Sequence, residues 1–158
     1  MARNIRELNC TSEDVFRVLG DGWLYPSWVV GASRMRAVDA RWPAERGSLH
    51  HSFGVWPLLI NDKTVVTEWS PPRRMVMRAR GWPIGEARVV IEVQDRAGER
   101  CMVRIDELPV KGPARGIPRW ILDPAIRWRN AETLQRLAYL AEGTARGGES
   151  PSTKDAGS

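Results

Sequence analysis

The chain has 158 residues, a length that fits one domain around a single core, and its 42% apolar and 27% charged residues are ordinary for a soluble globular protein. A formal charge of +5 and a pI near 9.9 raise the question of nucleic acid, but 21 of the 24 basic residues are Arg, scattered among acidic residues without the clustering a basic stripe needs. The longest largely apolar run, Gly54 to Ile60, contains a proline, no charged-then-apolar leader opens the chain, and two cysteines are too few for a disulfide framework. A spanning helix and a signal peptide are therefore not expected, and a reducing cytoplasm is the default.

In chain order, residues Arg3 to Cys10 read as a short strand, weakly marked by Ile5 and Leu8. Thr11 or Ser12, followed by Glu13 and Asp14, has the chemistry of a helix N-terminus, where a hydroxyl caps free amides and carboxylates meet the positive end of the dipole. A helix over Glu13 to Leu19 is expected to stop at Gly20, and Pro26 suits the first turn of a second short helix, Pro26 to Val30. From Ala32 the period changes to two. Strands follow from Ala32 to Asp39 and from Ser48 to Val55, where Trp56 and Pro57 break the pattern before Leu58 to Ile60. After a turn at Asn61 and Asp62 come Thr64 to Trp69, Arg74 to Arg80, Glu86 to Gln94 and Arg100 to Glu107. Their connections are short and rich in Pro, Gly and Asp, so the strands should form an antiparallel meander.

The stretch Gly116 to Glu142 is the longest helical pattern in the chain. Ile117, Trp120, Ile121, Pro124, Trp128, Ala131, Leu134, Ala138 and Ala141 recur at spacings of three and four, with Arg119, Arg127, Arg129, Glu132, Gln135 and Arg136 opposite. Pro124 places Asp123 at a kink or at a fresh helix start, and Gly143 stands where a C-terminal cap is expected. An antiparallel sheet with one dry face needs a cover, and this helix is long enough to give one. A sheet that curls around it cannot touch it everywhere, so a cavity between them is expected. Gly143 to Ser158 has no apolar period and reads as a disordered tail beyond a domain of residues 1–142.

With its opening strand and TSEDVFRVL, the short helix with YPSWVVG, the central EWSPPRRMVMRAR, the strand pair around DRAGERCMVRIDEL and the closing RWRNAETLQRLAYLAE, the chain resembles the START-like, Bet v 1-like superfamily, also labelled SRPBCC or polyketide cyclase/dehydrase. The resemblance covers residues 1–142. It implies an α+β helix-grip fold: a seven-stranded curved antiparallel sheet, two short helices after the first strand and a long C-terminal helix across the sheet. It also implies an apolar cavity for lipids, polyketides or other hydrophobic molecules, without fixing a reaction.

Eight Trp outnumber Tyr and Phe together, which suits a bulky core or a pocket for flat apolar molecules. The expected cavity wall consists of Trp28, Phe53, Trp56, Trp69, Met77, Val89, Ile91, Val93, Trp120 and Trp128. His50 and His51 are adjacent on a strand and point to opposite faces, so they cannot share a metal, and neither a metal nor another cofactor is expected. By alternation with Leu49 and Phe53, His51 faces inward and is a candidate acid or base. On the strand Cys101, Val103, Ile105 and Glu107 the same count makes Glu107 the polar intruder on an apolar face. Cys10 and Cys101 end and begin neighbouring strands in this fold, so their sulfurs should lie close and reduced. Two functions follow. The first is binding of a small hydrophobic or aromatic molecule, with any reaction being of the polyketide cyclase/dehydrase kind; the second is a protein- or RNA-interaction module of the same fold, although nucleic acid is not favoured by the charge distribution.

Overall fold

The computed structural model describes residues 2–53, 60–81 and 85–147. Strand β1 (Ala2–Leu8) leads into α1 (Ser12–Gly20) and, after a 3₁₀ turn at Gly22–Leu24, into α2 (Tyr25–Trp28). Six more strands follow: β2 (Ala32–Val38), β3 (Ser48–Phe53), β4 (Ile60–Ser70), β5 (Arg74–Gly81), β6 (Gly85–Arg96) and β7 (Arg100–Lys111). A 3₁₀ turn at Pro113–Gly116 and the helix α3 (Arg119–Gly147) close the chain. The strands form one sheet in the order β1-β7-β6-β5-β4-β3-β2, every neighbouring pair antiparallel.

Local chemistry accounts for these elements. Thr11 caps α1: its side chain accepts from the Asp14 amide while the Asp14 carboxylate accepts from the Thr11 amide, a reciprocal box that contributes about 1 kcal/mol. Register shifts in the β2–β3 and β4–β5 ladders mark bulges, and bulges increase local twist and bend a sheet. The core lies between the inner face of the sheet, α1 and the later turns of α3. Leu8, Val15, Leu19, Met75, Ile91, Val103, Leu134 and Leu137 are all buried there in one cluster.

Several boundaries differ from expectation, the most marked in β4 and α3. Asn61 and Asp62 do not turn but lie inside β4, opposite Ser52 and His51. Ser52 Oγ donates to Asn61 Oδ1 at 3.0 Å, so the ladder itself satisfies a side chain that by composition suggests a turn. Helix α3 starts at Arg119 rather than Gly116 and passes through Pro124 without ending. It also passes Gly143, the expected cap, and ends at Gly147. Ala141 is buried and Ala145, one turn on, packs against the same core. That burial outweighs the roughly 1 kcal/mol by which glycine disfavours a helix interior. Val55, Trp56, Pro57 and the start of the Leu58 to Ile60 run lie outside the described residues.

Candidate functional site

A cavity of about 280 Å³ lies between the inner face of the sheet and the first half of α3. Its floor comes from inward positions of three strands: Met77 and Ala79 on β5, Ala87, Val89 and Ile91 on β6, and Ile105, Glu107 and Pro109 on β7. Ala79 and Ala87 are directly paired, and two methyl groups side by side leave space that larger residues would fill. The helix contributes Leu122, Ala125, Ile126, Arg129, Asn130 and Thr133; α2 and its flanks contribute Tyr25, Trp28 and Val29. At one end of β6, Gly85 has φ +122 and a Cβ there would stand 2.0 Å from the Lys111 carbonyl oxygen, so the wall at that point admits only glycine.

The lining is mainly apolar, with Arg80 and Glu86 beside Gly85 and Asn130 and Thr133 on the helix, and two polar groupings stand within it. Arg129 of α3 donates from its Nη2 to the Glu107 carboxylate of β7. Glu107 is 5% exposed, and a carboxylate that deep is retained as an ion only when a cation accompanies it. The second grouping is a neutral chain. His51 Nε2 lies 3.0 Å from Thr64 Oγ1, which lies 3.0 Å from the Tyr25 hydroxyl. The Tyr25 ring also packs on His51 at 5.2 Å between centroids and against Trp28 at 5.3 Å. Burial lowers the pKa of His51 below its ordinary 6.5, which favours the uncharged imidazole. Burial likewise raises the Tyr25 hydroxyl to about 12, with the Thr64 bond opposing it. Both are therefore neutral at pH 7. Three buried atoms of lining residues, His51 Nδ1, Trp28 Nε1 and Asn130 Nδ2, have no hydrogen-bond partner among the described residues. Each carries a desolvation cost of about 1–3 kcal/mol that a polar partner would remove.

Of the residues expected at the cavity wall, Trp28, Met77, Val89 and Ile91 line it, as do His51 and Glu107. Four stand elsewhere. Val93 is buried in the core, one inward position beyond Ile91 on β6 and clear of the cavity lining. Trp69 stacks on Phe16 of α1, with ring centroids 5.1 Å apart, and so fastens α1 to the sheet. Trp120 and Trp128 are 77% and 73% exposed, on the outer side of α3. The inward row is instead Leu122, Ile126, Arg129, Asn130 and Thr133, at spacings i, i+4, i+7, i+8 and i+11. Three of those five residues are polar, and apolar recurrence instead falls on the tryptophans. Trp56 and the side chain of Phe53 lie outside the described residues. Tyr25, Thr64, Arg129 and Asn130 were not anticipated, and the helical spacing had set Arg129 on the face opposite the apolar stripe.

Cys10 and Cys101 are free and buried. The neighbouring Cys101 thiol, with burial, pushes the Cys10 thiol far above the usual thiol range. No group of three metal-capable side chains occurs among the described residues, and no helix among them is long and apolar enough to cross a membrane.

A sequence-family model described as polyketide cyclase/dehydrase and lipid transport matches residues 3–142. The chain belongs to this family. Among solved structures, the polyketide cyclase/dehydrase chain resembles the Zhui aromatase/cyclase from Streptomyces at 14% identity, with a TM-score of 0.69 over 94% of this chain and 96% of that one. It resembles a conserved protein from Geobacillus kaustophilus at 15% identity and TM-score 0.69, covering 90% and 95%. A START superfamily protein from Mycobacterium smegmatis aligns at 16% identity and TM-score 0.57, covering 92% and 97%. At these identities the likeness is one of fold, and the fold is the helix-grip arrangement of the START-like superfamily. No curated protein sequence matches the chain.

Proposed function

We propose that this polyketide cyclase/dehydrase family member binds a small hydrophobic or aromatic molecule in the cavity beneath α3. The supporting observation is the composition of the lining. Met77, Val89, Ile91, Ile105, Leu122 and Ile126 offer an apolar bed, and two polar groupings stand within it. A cavity of about 280 Å³ is at the lower end for a small-molecule site, which suits a compact ring system or a short acyl chain rather than a large lipid. A ligand with a carbonyl or hydroxyl would be oriented by the Tyr25–Thr64–His51 chain, and one with an acidic group by Arg129.

Turnover of the cyclase or dehydratase kind, as the name of the Streptomyces neighbour suggests, would draw on the same groups. His51, neutral and hydrogen-bonded through Nε2, is fitted to accept a proton, and Glu107 and Arg129 are placed to stabilise developing charge. Most of the rate gain would come from holding a flexible molecule in one reactive conformation.

Native mass spectrometry of protein purified from its own host provides the test. A retained small apolar molecule is expected on the parent protein and not on Val89→Phe, which fills the cavity floor. The reading fails if neither host extract nor a panel of polyketide-like, fatty-acid and steroid ligands yields a bound species, or if Val89→Phe retains it equally.

A further inference from the structure

In its first half α3 has two apolar faces, and only one of them meets the rest of the fold. Leu122 and Ile126 look toward the cavity, whereas Trp120, Trp128, Ile117 and Ile121 are exposed. Trp120, Pro124 and Trp128 follow at four-residue intervals, so they form one outward row, with Ile121 beside it. Two indoles about two turns apart, each about three-quarters in water, with Pro124 and Ile121 between them, form an apolar patch rather than the single exposed residue that any surface carries.

Charge tells what would cover the patch. Arg127 is exposed beside it, Arg115 and Arg119 are exposed at the start of the helix, and none of the three belongs to an ion pair among the described residues. Between Arg115 and Ala131 the sequence holds four arginines against one acidic residue, Asp123. A second copy packed face to face would set these arginines against their own equivalents, so self-association is disfavoured. A partner must offer an apolar layer for the indoles and negative charge beside it. Anionic lipid at a bilayer surface has both, at the depths where Trp rings and Arg groups settle.

We propose that the outer face of α3 docks on an anionic bilayer surface, with Trp120 and Trp128 in the interfacial layer and Arg119 and Arg127 among the headgroups. This stands on the outer face alone and does not require the cavity to be occupied. If both proposals hold, the helix that walls the cavity also rests on the phase in which an apolar ligand dissolves.

Cosedimentation with vesicles of phosphatidylcholine, with and without phosphatidylserine, tests the docking. The protein is expected to sediment with the phosphatidylserine vesicles, less with neutral ones, and less as salt is raised. The double variant W120S/W128S should lower partitioning by more than about tenfold, and Arg119→Gln and Arg127→Gln by about fivefold each, with circular dichroism unchanged in all three. The proposal is overturned by absence of sedimentation with either vesicle, or by W120S/W128S binding as the parent does. It is equally overturned if the parent is a dimer that W120S/W128S makes monomeric without any vesicle binding, or if only poly-glutamate and no vesicle is bound, which would point to an acidic protein instead.

Discussion

The two halves of α3 are attached to the same sheet by different chemistry. Its later turns place Leu134, Leu137, Ala138 and Ala141 in the core, in one buried cluster with side chains of β1, α1 and the inner sheet. Its earlier turns are tied by polar links: Arg129 to Glu107, Asn4 Nδ2 donating to the Arg127 carbonyl oxygen at 3.0 Å, and the Val30 amide donating to Thr133 Oγ1 at 3.4 Å. Apolar packing draws surfaces together until no gap remains, while a guanidinium on a long stem acts as a spacer. The cavity is where the attachment changes from the first kind to the second.

The largest effect that would separate the halves comes from truncation. Leu137→Ala removes a side chain with no exposure and should cost about 3 kcal/mol, read as a shift in urea midpoint at constant slope. Ile126→Ala already faces the cavity and should cost less than about 1 kcal/mol. Equal costs would show the two halves equally packed and remove the physical basis for the cavity. Next in size is Glu107→Gln, which leaves Arg129 without its ion pair. Breaking a fully buried pair costs several kcal/mol, but Arg129 is a third exposed, so about 1–2 kcal/mol is expected. Because that ion pair is the proposed spacer, the same variant should also change ligand retention, whereas Leu137→Ala at a temperature where it is folded should not.

How much of this was legible in the sequence follows the same division. The strands, their order and the two short helices are set by period, turn residues and caps, which are local, and Thr11 with Asp14 does what its composition implies. His51 and Glu107 were readable because alternation on a strand is strict, so a polar residue in an apolar register stands out. The inward row of α3 was not readable for the converse reason. Hydrophobic recurrence assumes that the inward face is apolar, and here it carries Arg129, Asn130 and Thr133 while the outward face carries tryptophan. A site that needs polar groups inside and a docking patch outside inverts the pattern from which helix orientation is read. Trp69 went astray differently: inward alternation cannot say which end of a sheet a given helix fills, and α1 had already taken that end.

A smaller effect concerns the neutral chain of His51, Thr64 and Tyr25. Since burial holds His51 below its ordinary pKa, the unfolded chain binds a proton there that the folded one refuses. Its share of stability is complete above about pH 6.5 and is lost as pH falls through the lowered folded value. The urea midpoint should therefore drop as pH is taken from about 7 to about 5, with a shallower slope in His51→Gln. An unchanged slope in that variant would mean that His51 binds its proton equally in the folded and unfolded chains, so that burial does not hold it neutral.

The smallest expected effect is the most discriminating for α3 itself. If the first half of the helix is fixed only through its inward row, then Trp120→Ser and Trp128→Ser remove large rings from water without touching any contact that holds the fold. Each should alter stability by no more than about 0.5 kcal/mol, measured as a thermal midpoint within error of the parent. A buried tryptophan cut back to a small residue costs about 3–5 kcal/mol, so the measurement has a wide margin. A loss in that upper range would place the indoles against protein, turn the helix by half a revolution, and take from Arg129 and Asn130 their position over the cavity.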